Sequence, residues 1–272
     1  MSLVSTEWLN NNHSKVKIID SSWHMPNTNR NAYEEYKKEH IKNAIFFDID
    51  KFSNKKVELP HMLPNKEEWE KIVSNLGITN EDRIIVYDNS DVISSCRCWY
   101  TFIFFGHNPN LISVLNGGLL KWKKENRETT NKVSNHEKKN YKAIKISHLV
   151  KSKEEIDKNI LEKKFQVVDA RSKSRFLGLE KEPRQNVKSG SIQNSYCLPF
   201  GELINPKDKT FIEKNLIKEK FTNIGINNEK KVVFSCGSGI TATVLGLAYS
   251  IINDKYLPAI YDGSWAEYGK IK

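Results

Sequence analysis

Short apolar runs, each closed by a polar residue, alternate along the chain with longer amphipathic stretches. The runs hold four or five residues, many of them β-branched, and end in Asp, Gly or Asn, which is typical of strands buried in a parallel sheet. The amphipathic stretches have the apolar spacing of helices, and they include residues 66–76, 212–224 and 241–252. Strands that alternate with helices in this way predict an α/β fold of parallel βα units.

The pattern occurs twice, because segments of the first half match segments of the second half in the same order. The matched pairs are residues 17–21 with 166–170, 40–44 with 191–195, 76–78 and 84–87 with 224–226 and 232–234, and 114–118 with 260–264. A repeat of this length predicts that each half folds as one domain. The polar segment Asn126–Lys142 lacks apolar periodicity and predicts the connection. We therefore place the domains at residues 1–140 and 141–272.

The composition is that of a globular chain, since 38% of the 272 residues are hydrophobic and 28% are charged. The densest apolar segment, Trp99–Phe105, is too short to cross a bilayer and predicts a buried helix. Residues 1–13 contain neither a signal core nor an Arg-rich amphipathic pattern. We expect a cytoplasmic protein with no membrane partner.

The net charge is +10, from 43 Lys and Arg against 33 Asp and Glu, which raises the question of a nucleic-acid partner. The lysines are scattered among asparagines and form no stripe interleaved with aromatic residues, so we expect no such partner. A mildly positive field is still able to attract small anionic substrates.

The four cysteines do not form the framework of a disulfide-rich domain in a chain of this length. Cys96 and Cys98 are separated by one residue, and no second Cys/His pair has metal-ligand spacing. We therefore expect no metal site, and each cysteine is either a core residue or a reactive thiol.

Cys236 begins a loop of small residues between a predicted strand and a predicted helix. Ligands of open α/β sheets bind at the carboxyl ends of the strands, where this loop must lie. Gly237 and Gly239 allow the loop to curl so that backbone N–H groups point inward, and these dipoles and the helix N-terminus favour a thiolate. The alternative is a core cysteine, as we expect for Cys197, but flanking glycines are unlike the walls of a core position. Cys236 is therefore the predicted nucleophile.

The first repeat lacks this nucleophile. Alignment of the two apolar runs places Asn89 opposite Cys236. The first domain is accordingly predicted to be catalytically inactive and to act as a scaffold.

The segment Cys236–Ala242 resembles the active-site loop of the 3-mercaptopyruvate sulfurtransferases, which are relatives of rhodanese. The resemblance extends through nearly the whole chain, in residues 43–50, 60–64, 113–118, 165–171, 175–178, 182–184 and 261–265. It implies two tandem rhodanese-like domains, of which only the second is catalytic. This agrees with Asn89 in the first repeat.

The resemblance also implies a ping-pong cycle that uses a covalent persulfide and no dissociable cofactor. Cys236 takes the sulfur of 3-mercaptopyruvate and releases pyruvate, and a thiol acceptor such as thioredoxin, or cyanide, then removes the sulfur. The loop residues Gly237, Ser238, Gly239, Ile240 and Thr241 would surround the outer sulfur. A monomer is expected.

The choice of donor rests on charge. The similar loop of thiosulfate-using rhodaneses has Arg and Lys at the positions of Gly237 and Ser238, and both side chains are neutral here. The resemblance assigns the carboxylate and ketone oxygens of mercaptopyruvate to Arg175 and Arg184, whose guanidinium forks suit such oxygens. Ser238 would hydrogen-bond near the ketone or relay a proton. The alternative for the arginines is an ordinary salt bridge with a neighbouring Glu180 or Glu182.

His40 matches a family histidine that reaches the cleft from the first domain and acts with the loop serine. Its aspartate partner in the family is replaced by Asn31 in this chain, which puts a full Asp–His–Ser relay in doubt. Arg97, Asp169 and Arg171 also match family positions, and we expect them to brace loops and the domain interface.

Three other functions stay open at this point. A thiosulfate sulfurtransferase would share the nucleophile, and we expect some thiosulfate activity. A phosphatase of the same fold would need an Arg after a five-residue loop, and Ala242 stands there. Loss of Cys236 would have indicated a non-catalytic persulfide carrier or binding module, and Cys236 is present.

Overall fold

The computed structural model describes residues 2–226, 231–253 and 256–271, and the chain divides into two compact units. Unit 1 comprises Met1–Asn54, Leu63–Ile146 and Pro206–Thr210. Unit 2 comprises Lys55–Met62, Ser147–Asn205 and Phe211–Lys272. The predicted boundary at residue 140 differs from this division in two short segments. Lys55–Met62 belongs to unit 2, and Pro206–Thr210 belongs to unit 1.

Within the described residues, the core of unit 1 is a five-stranded sheet in the order β1-β6-β5-β2-β4, in which every pair of neighbours is parallel. A small antiparallel ladder joins β3 and β7. The strands are β1 Leu3–Val4, β2 Lys17–Asp20, β3 His40–Ile41, β4 Ala44–Phe46, β5 Ile84–Tyr87, β6 Ile112–Leu115 and β7 Thr129–Thr130. The helices are α1 Thr6–Asn12, α2 Ala32–Lys38, α3 Lys66–Asn75, α4 Ser95–Phe104 and α5 Gly118–Lys124, and single 3-10 turns cover His13–Lys15 and Pro26–Thr28.

Unit 2 repeats this plan with a parallel sheet of five described strands in the order β10-β9-β11-β12-β8. Its strands are β8 Val150–Lys151, β9 Phe165–Asp169, β10 Tyr196–Cys197, β11 Lys231–Ser235 and β12 Ala259–Tyr261. Its helices are α6 Lys153–Glu162, α7 Lys173–Phe176, α8 Lys214–Asn223, α9 Ala242–Ile252 and α10 Ser264–Tyr268, and 3-10 turns cover Ser147–Leu149 and Phe200–Leu203. The predicted α/β fold with two parallel sheets is confirmed.

The predicted strands are buried because both faces of each sheet are covered by helices. All four residues of β5 and all four of β6 are buried, as expected for continuous apolar runs in a parallel sheet. Every residue of α4 is buried as well, which confirms the prediction of a buried helix near Trp99–Phe105. Among the described residues, no helix is both long and apolar enough to cross a membrane.

Strand register corrects the alignment of the two repeats by one residue. Asp20 pairs with Tyr87 in unit 1, and its repeat counterpart Asp169 pairs with Ser235 in unit 2. The residue after Tyr87, and therefore the counterpart of Cys236, is Asp88 and not Asn89.

Two backbone hydrogen bonds support the same correspondence. The N–H of Leu119 donates to the carbonyl of Asp88 at 3.0 Å, and the N–H of Trp265 donates to the carbonyl of Cys236 at 2.9 Å. Leu119 and Trp265 each follow the matched segments 114–118 and 260–264. The prediction that the first repeat lacks the nucleophile stands, with an aspartate in its place.

Candidate active site

The Cys236 loop lies at the carboxyl end of β11, between the strand and α9. Its backbone is fixed by the turn that begins α10, because the N–H of Cys236 donates to Ser264 Oγ at 3.2 Å. The N–H groups of Trp265 and Ala266 donate to the carbonyls of Cys236 and Gly237, both at 2.9 Å. The loop is therefore held in one position beside the sheet.

The sulfur of Cys236 is recessed and accepts a backbone hydrogen bond. The residue is 2% exposed, and the N–H of Gly239 lies 3.1 Å from its Sγ. Gly239 has φ +82°, a left-handed conformation that side-chain-bearing residues rarely adopt, and this bend aims its N–H at the sulfur. Ile240 is buried behind the loop, and Thr241 immediately precedes α9. The arrangement stabilises negative charge on Cys236 or on a sulfur attached to it.

Two guanidinium groups converge on the loop at Gly237. A Cβ placed on Gly237 would lie 3.3 Å from Nη2 of Arg175 and 3.5 Å from Nη1 of Arg184. A side chain at this position would crowd both guanidinium groups. The structure thus brings both predicted substrate arginines to the residue next to the predicted nucleophile.

A buried ionic network supports one of these arginines. Glu182 accepts hydrogen bonds from Arg175 at 2.5 Å (Nη2) and from Arg171 at 2.7 Å (Nη1). Arg171 also donates to both carboxylate oxygens of Asp169, and its guanidinium lies 4.6 Å from the ring centroid of Trp265. Asp169 and Arg171 therefore brace the loops of unit 2, and the ion pair between Arg175 and Glu182 is also present.

The charges of the arginines respond to this environment in opposite directions. Burial lowers the pKa of the Arg184 guanidinium, and the positive charge of Arg175 acts in the same direction. Burial also acts against the charge of Arg171, but the hydrogen bonds and charges of Asp169 and Glu182 outweigh it and raise the pKa of Arg171. A bound anion would therefore stabilise the charged form of Arg184.

The histidine that contacts Ser238 is His61, which lies within the segment 60–64. Its Nδ1 lies 3.0 Å from Ser238 Oγ in a hydrogen bond, and both residues are 7% exposed. His61 belongs to the segment Lys55–Met62, which packs as part of unit 2 although it precedes that unit by many residues. A histidine in hydrogen-bond contact with a serine beside the nucleophile is placed to move a proton.

His40 occupies a different environment from the one expected. It is fully buried in unit 1, where its Nδ1 lies 2.6 Å from the carbonyl oxygen of Tyr36 and its ring stacks on the Tyr36 ring at 4.0 Å. Asn31 caps α2, since its side chain accepts from the N–H of Glu34 at 3.1 Å. The expectation for His40 therefore needs correction: pairing of β3 with β7 holds it as a core residue, and Asn31 is a helix cap. Arg97 is buried within α4 of unit 1.

The other three thiols are in environments that disfavour the thiolate. Burial raises the pKa of Cys96 and of Cys98 well above the ordinary thiol value. Burial also raises the pKa of Cys197 to about 11. In the part of the chain that the structure describes, no group of three or more His, Cys, Asp and Glu side chains is arranged to hold a metal ion.

Comparison with known proteins gives a consistent result over nearly the full chain. Residues 5–125 and 152–270 each match the family model of the rhodanese-like domain. The chain is 35% identical to thiosulfate/3-mercaptopyruvate sulfurtransferase 1, mitochondrial, of Arabidopsis thaliana, covering 98% of this chain and 75% of the relative. It is 34% identical to the 3-mercaptopyruvate sulfurtransferase of Mus musculus, covering 98% and 91%. The crystal structure of SseA from Escherichia coli, which is described as a 3-mercaptopyruvate sulfotransferase of rhodanese fold, superposes with a TM-score of 0.87 at 28% identity, covering 97% of this chain and 99% of that one.

Proposed function

The chain belongs to the rhodanese family and is a sulfurtransferase, and from this premise we propose that its preferred sulfur donor is 3-mercaptopyruvate. The observation that carries the proposal is the convergence of Arg175 and Arg184 on Gly237, next to Cys236. Two guanidinium groups suit a carboxylate and a ketone oxygen on one small molecule. The loop itself adds no charged side chain for a dianion.

In the first half-reaction, the Cys236 thiolate attacks the sulfur of 3-mercaptopyruvate. A bond forms between Sγ and that sulfur, the carbon–sulfur bond breaks, and its electron pair stays on carbon as the enolate of pyruvate. The proton of the donor thiol finally resides on the methyl group of pyruvate. Ser238 and His61, which share a hydrogen bond of 3.0 Å, are the groups we assign to this relay.

In the second half-reaction, an acceptor removes the outer sulfur of the Cys236 persulfide. The thiolate of the acceptor attacks this sulfur, the sulfur–sulfur bond to Cys236 breaks, and the Cys236 thiolate leaves. Cyanide follows the same course and gives thiocyanate. The N–H of Gly239, which contacts Sγ at 3.1 Å, stabilises negative charge in both half-reactions. A dithiol protein of the thioredoxin type is the acceptor we propose.

Thiosulfate is the second candidate donor. The Arabidopsis relative carries both donors in its name, and the nucleophile and loop would serve both. Thiosulfate is a dianion, and the two charges it brings are matched less well by the neutral side chains of Gly237 and Ser238. We propose that thiosulfate supports a slower reaction.

The test compares the two donors on one enzyme. Intact-mass measurement after incubation with 3-mercaptopyruvate should show a gain of one sulfur atom, localised to the peptide that contains Cys236 and removable by cyanide. Steady-state assays with each donor, using thioredoxin and cyanide as acceptors, should give a higher kcat/KM for 3-mercaptopyruvate. A higher kcat/KM for thiosulfate would overturn the choice of donor, and loading without repeated turnover would indicate a carrier.

We also propose that the protein is cytoplasmic and monomeric. Cell fractionation and size-exclusion chromatography with light scattering test them. Recovery in an organelle fraction, or a mass of a dimer, would contradict them.

A further inference from the structure

Glu182 is a buried carboxylate beside the reacting groups, although its chain neighbours on both sides are exposed. Its side chain is 2% exposed. It accepts two hydrogen bonds from Arg175, at 3.2 Å from Nε and at 2.5 Å from Nη2, and one from Arg171 at 2.7 Å. The Nη2 atom that it holds is the same atom that lies 3.3 Å from the Cβ position of Gly237. Glu182 therefore fixes the direction in which Arg175 faces the loop.

The same carboxylate sets the net charge of the site. Arg171 is neutralised by Asp169, and Arg175 is neutralised by Glu182. Within the described residues, no ion pair joins Arg184 to a carboxylate. These three guanidinium groups and two carboxylates leave one positive charge among the five side chains, which neutralises the charge of a monoanion in full and that of a dianion only by half.

We infer that Glu182 is a specificity-determining residue, which positions Arg175 and keeps the site at one net positive charge so that monoanionic donors are used in preference to dianionic ones. This inference rests on the proposed sulfur transfer through Cys236. It assigns the donor preference to a carboxylate outside the catalytic loop, in addition to the neutral side chains of the loop.

The physical reason is the dependence of Coulomb energy on ligand charge. Removing one negative charge about 6–8 Å from the bound donor stabilises a dianion by about twice as much as a monoanion. At an effective dielectric constant near 20, the difference amounts to about tenfold in the ratio of the two donors' kcat/KM, after allowance for screening. A loss of packing would lower both activities and leave their ratio unchanged.

The experiment uses three single substitutions and both donors. Glu182→Gln removes the charge and keeps a hydrogen-bond acceptor, so the thiosulfate-to-mercaptopyruvate ratio of kcat/KM should rise about tenfold. Glu182→Asp keeps the charge with a shorter reach, so both activities should fall while the ratio stays near that of the wild type. Glu180→Gln removes the same charge from an exposed neighbour whose carboxylate accepts hydrogen bonds from Ser172 and Ser174, and it should change neither activity nor ratio.

An unchanged ratio in Glu182→Gln, with both activities reduced alike, would overturn the inference and leave Glu182 a structural residue. The same ratio change in Glu180→Gln would overturn it too, because the effect would then be one of general surface charge. If the wild type does not acquire sulfur on Cys236 from either donor, the proposed function fails first, and this result is distinct from both of the others.

A measurement on the wild type covers the case in which Glu182→Gln does not fold. Pyruvate and oxalate have similar sizes and carry one and two negative charges. By the same arithmetic, a site with one net positive charge should bind oxalate at most about tenfold more tightly than pyruvate in calorimetric titration at low ionic strength. Binding of oxalate more than about thirtyfold tighter than pyruvate would contradict the charge assignment.

Discussion

The loop after β11 in unit 2 and the loop after β5 in unit 1 have the same pattern of backbone hydrogen bonds. They differ in the side chain at their first position. In unit 1, the carboxylate of Asp88 accepts from the N–H groups of Ser90 and Ser95, both at 2.9 Å. In unit 2, the sulfur of Cys236 accepts from the N–H of Gly239. In both units the loop backbone donates hydrogen bonds to the side chain at this position, which is a carboxylate in unit 1 and a sulfur in unit 2. Catalysis therefore depends on the identity of one side chain and on the guanidinium groups around it, and not on the loop fold alone.

A second matched pair, Asp20 and Asp169, shows the same divergence. Both end the strand next to the central one of the sheet, but Asp169 pairs with Arg171, whereas Asp20 accepts from the backbone N–H and hydroxyl of Ser22. Burial raises the pKa of Asp20 to about 6, although the Ser22 hydrogen bonds oppose the shift. Asp169 thus supports the ionic network of the active site, whereas burial of the Asp20 carboxylate lowers the stability of the folded protein.

The strongest test of the comparison is removal of the nucleophile. Cys236→Ser should lower sulfur transfer at least about a thousandfold, because no other group forms the persulfide. Cys197→Ser should retain turnover, since that thiol has a raised pKa and lies outside the loop. Turnover is followed as pyruvate release in the presence of cyanide.

A swap variant sharpens this test. Asp88→Cys combined with Cys236→Ser should not restore activity, because Arg175 and Arg184 remain at the unit 2 loop. Appreciable pyruvate release by the swap variant would mean that the shared pattern of backbone hydrogen bonds suffices for catalysis.

The next largest effect is expected at Asp169. Asp169→Asn leaves the buried Arg171 with only Glu182 as a charged partner, and it should lower the free energy of unfolding by about 3–5 kcal/mol. Urea denaturation at pH 7.5 measures it. A loss below about 1 kcal/mol would show that Glu182 alone supports Arg171 and that the brace is redundant.

Substitution of either proposed substrate arginine should lower catalysis by a similar amount, but the two substitutions should lower the stability of the protein by unequal amounts. Arg184→Ala and Arg175→Ala should each lower kcat/KM for 3-mercaptopyruvate about 10- to 150-fold, the value of a hydrogen bond to a charged group. Arg175→Ala should also lower the melting temperature, because it leaves Glu182 with one partner fewer in a buried position. Wild-type kinetics in both variants would mean that these arginines serve only as structural ion-pair partners.

The smallest expected effect, and one of opposite sign, is at Asp20. Because its pKa in the folded protein is about 6 against 3.8 for the free side chain, the fold is favoured by the bound proton below pH 3.8, and this stability is lost as the pH rises to about 6. Asp20→Asn stays neutral and should raise the free energy of unfolding by about 1–2 kcal/mol at pH 7.5. The difference from the wild type should vanish near pH 4. A destabilised Asp20→Asn variant at neutral pH would mean that the hydrogen bonds of Ser22 outweigh burial.

Local patterns predicted most of the fold, because strand and helix formation in this chain depends on contiguous residues. The apolar runs at β2, β5, β9 and β11 and the helical spacing at α3, α8 and α9 are read from segments of about ten residues. The internal repeat then predicted two domains with similar sheets, and this prediction required no knowledge of contacts between distant residues. Cys236 was found by the same means, because the nucleophile, the glycines and the helix start are adjacent in sequence.

The residues that were missed depend on contacts between distant segments. Asp88 was displaced by one position because the apolar runs before Asn89 and Cys236 align almost equally well at either offset, and only the hydrogen-bond register with Asp20 and Asp169 decides between them. Glu182 looked like a surface charge, because its exposed neighbours give no sign that its side chain turns inward. His61 has no local pattern at all that connects it with Ser238.

The hydrogen bond between His61 and Ser238 joins residues that are 177 positions apart, and this has a consequence for biosynthesis. A ribosome adds about 5–20 residues per second, so Ser238 emerges roughly 9–35 s after His61. During this interval the segment Lys55–Met62 lies within a chain whose first unit is already able to collapse, while the unit to which it belongs has yet to be made. The nascent protein must therefore keep this segment out of the early core. Codon changes that slow translation between residues 63 and 230 should consequently affect the yield of active enzyme more than the yield of soluble chain.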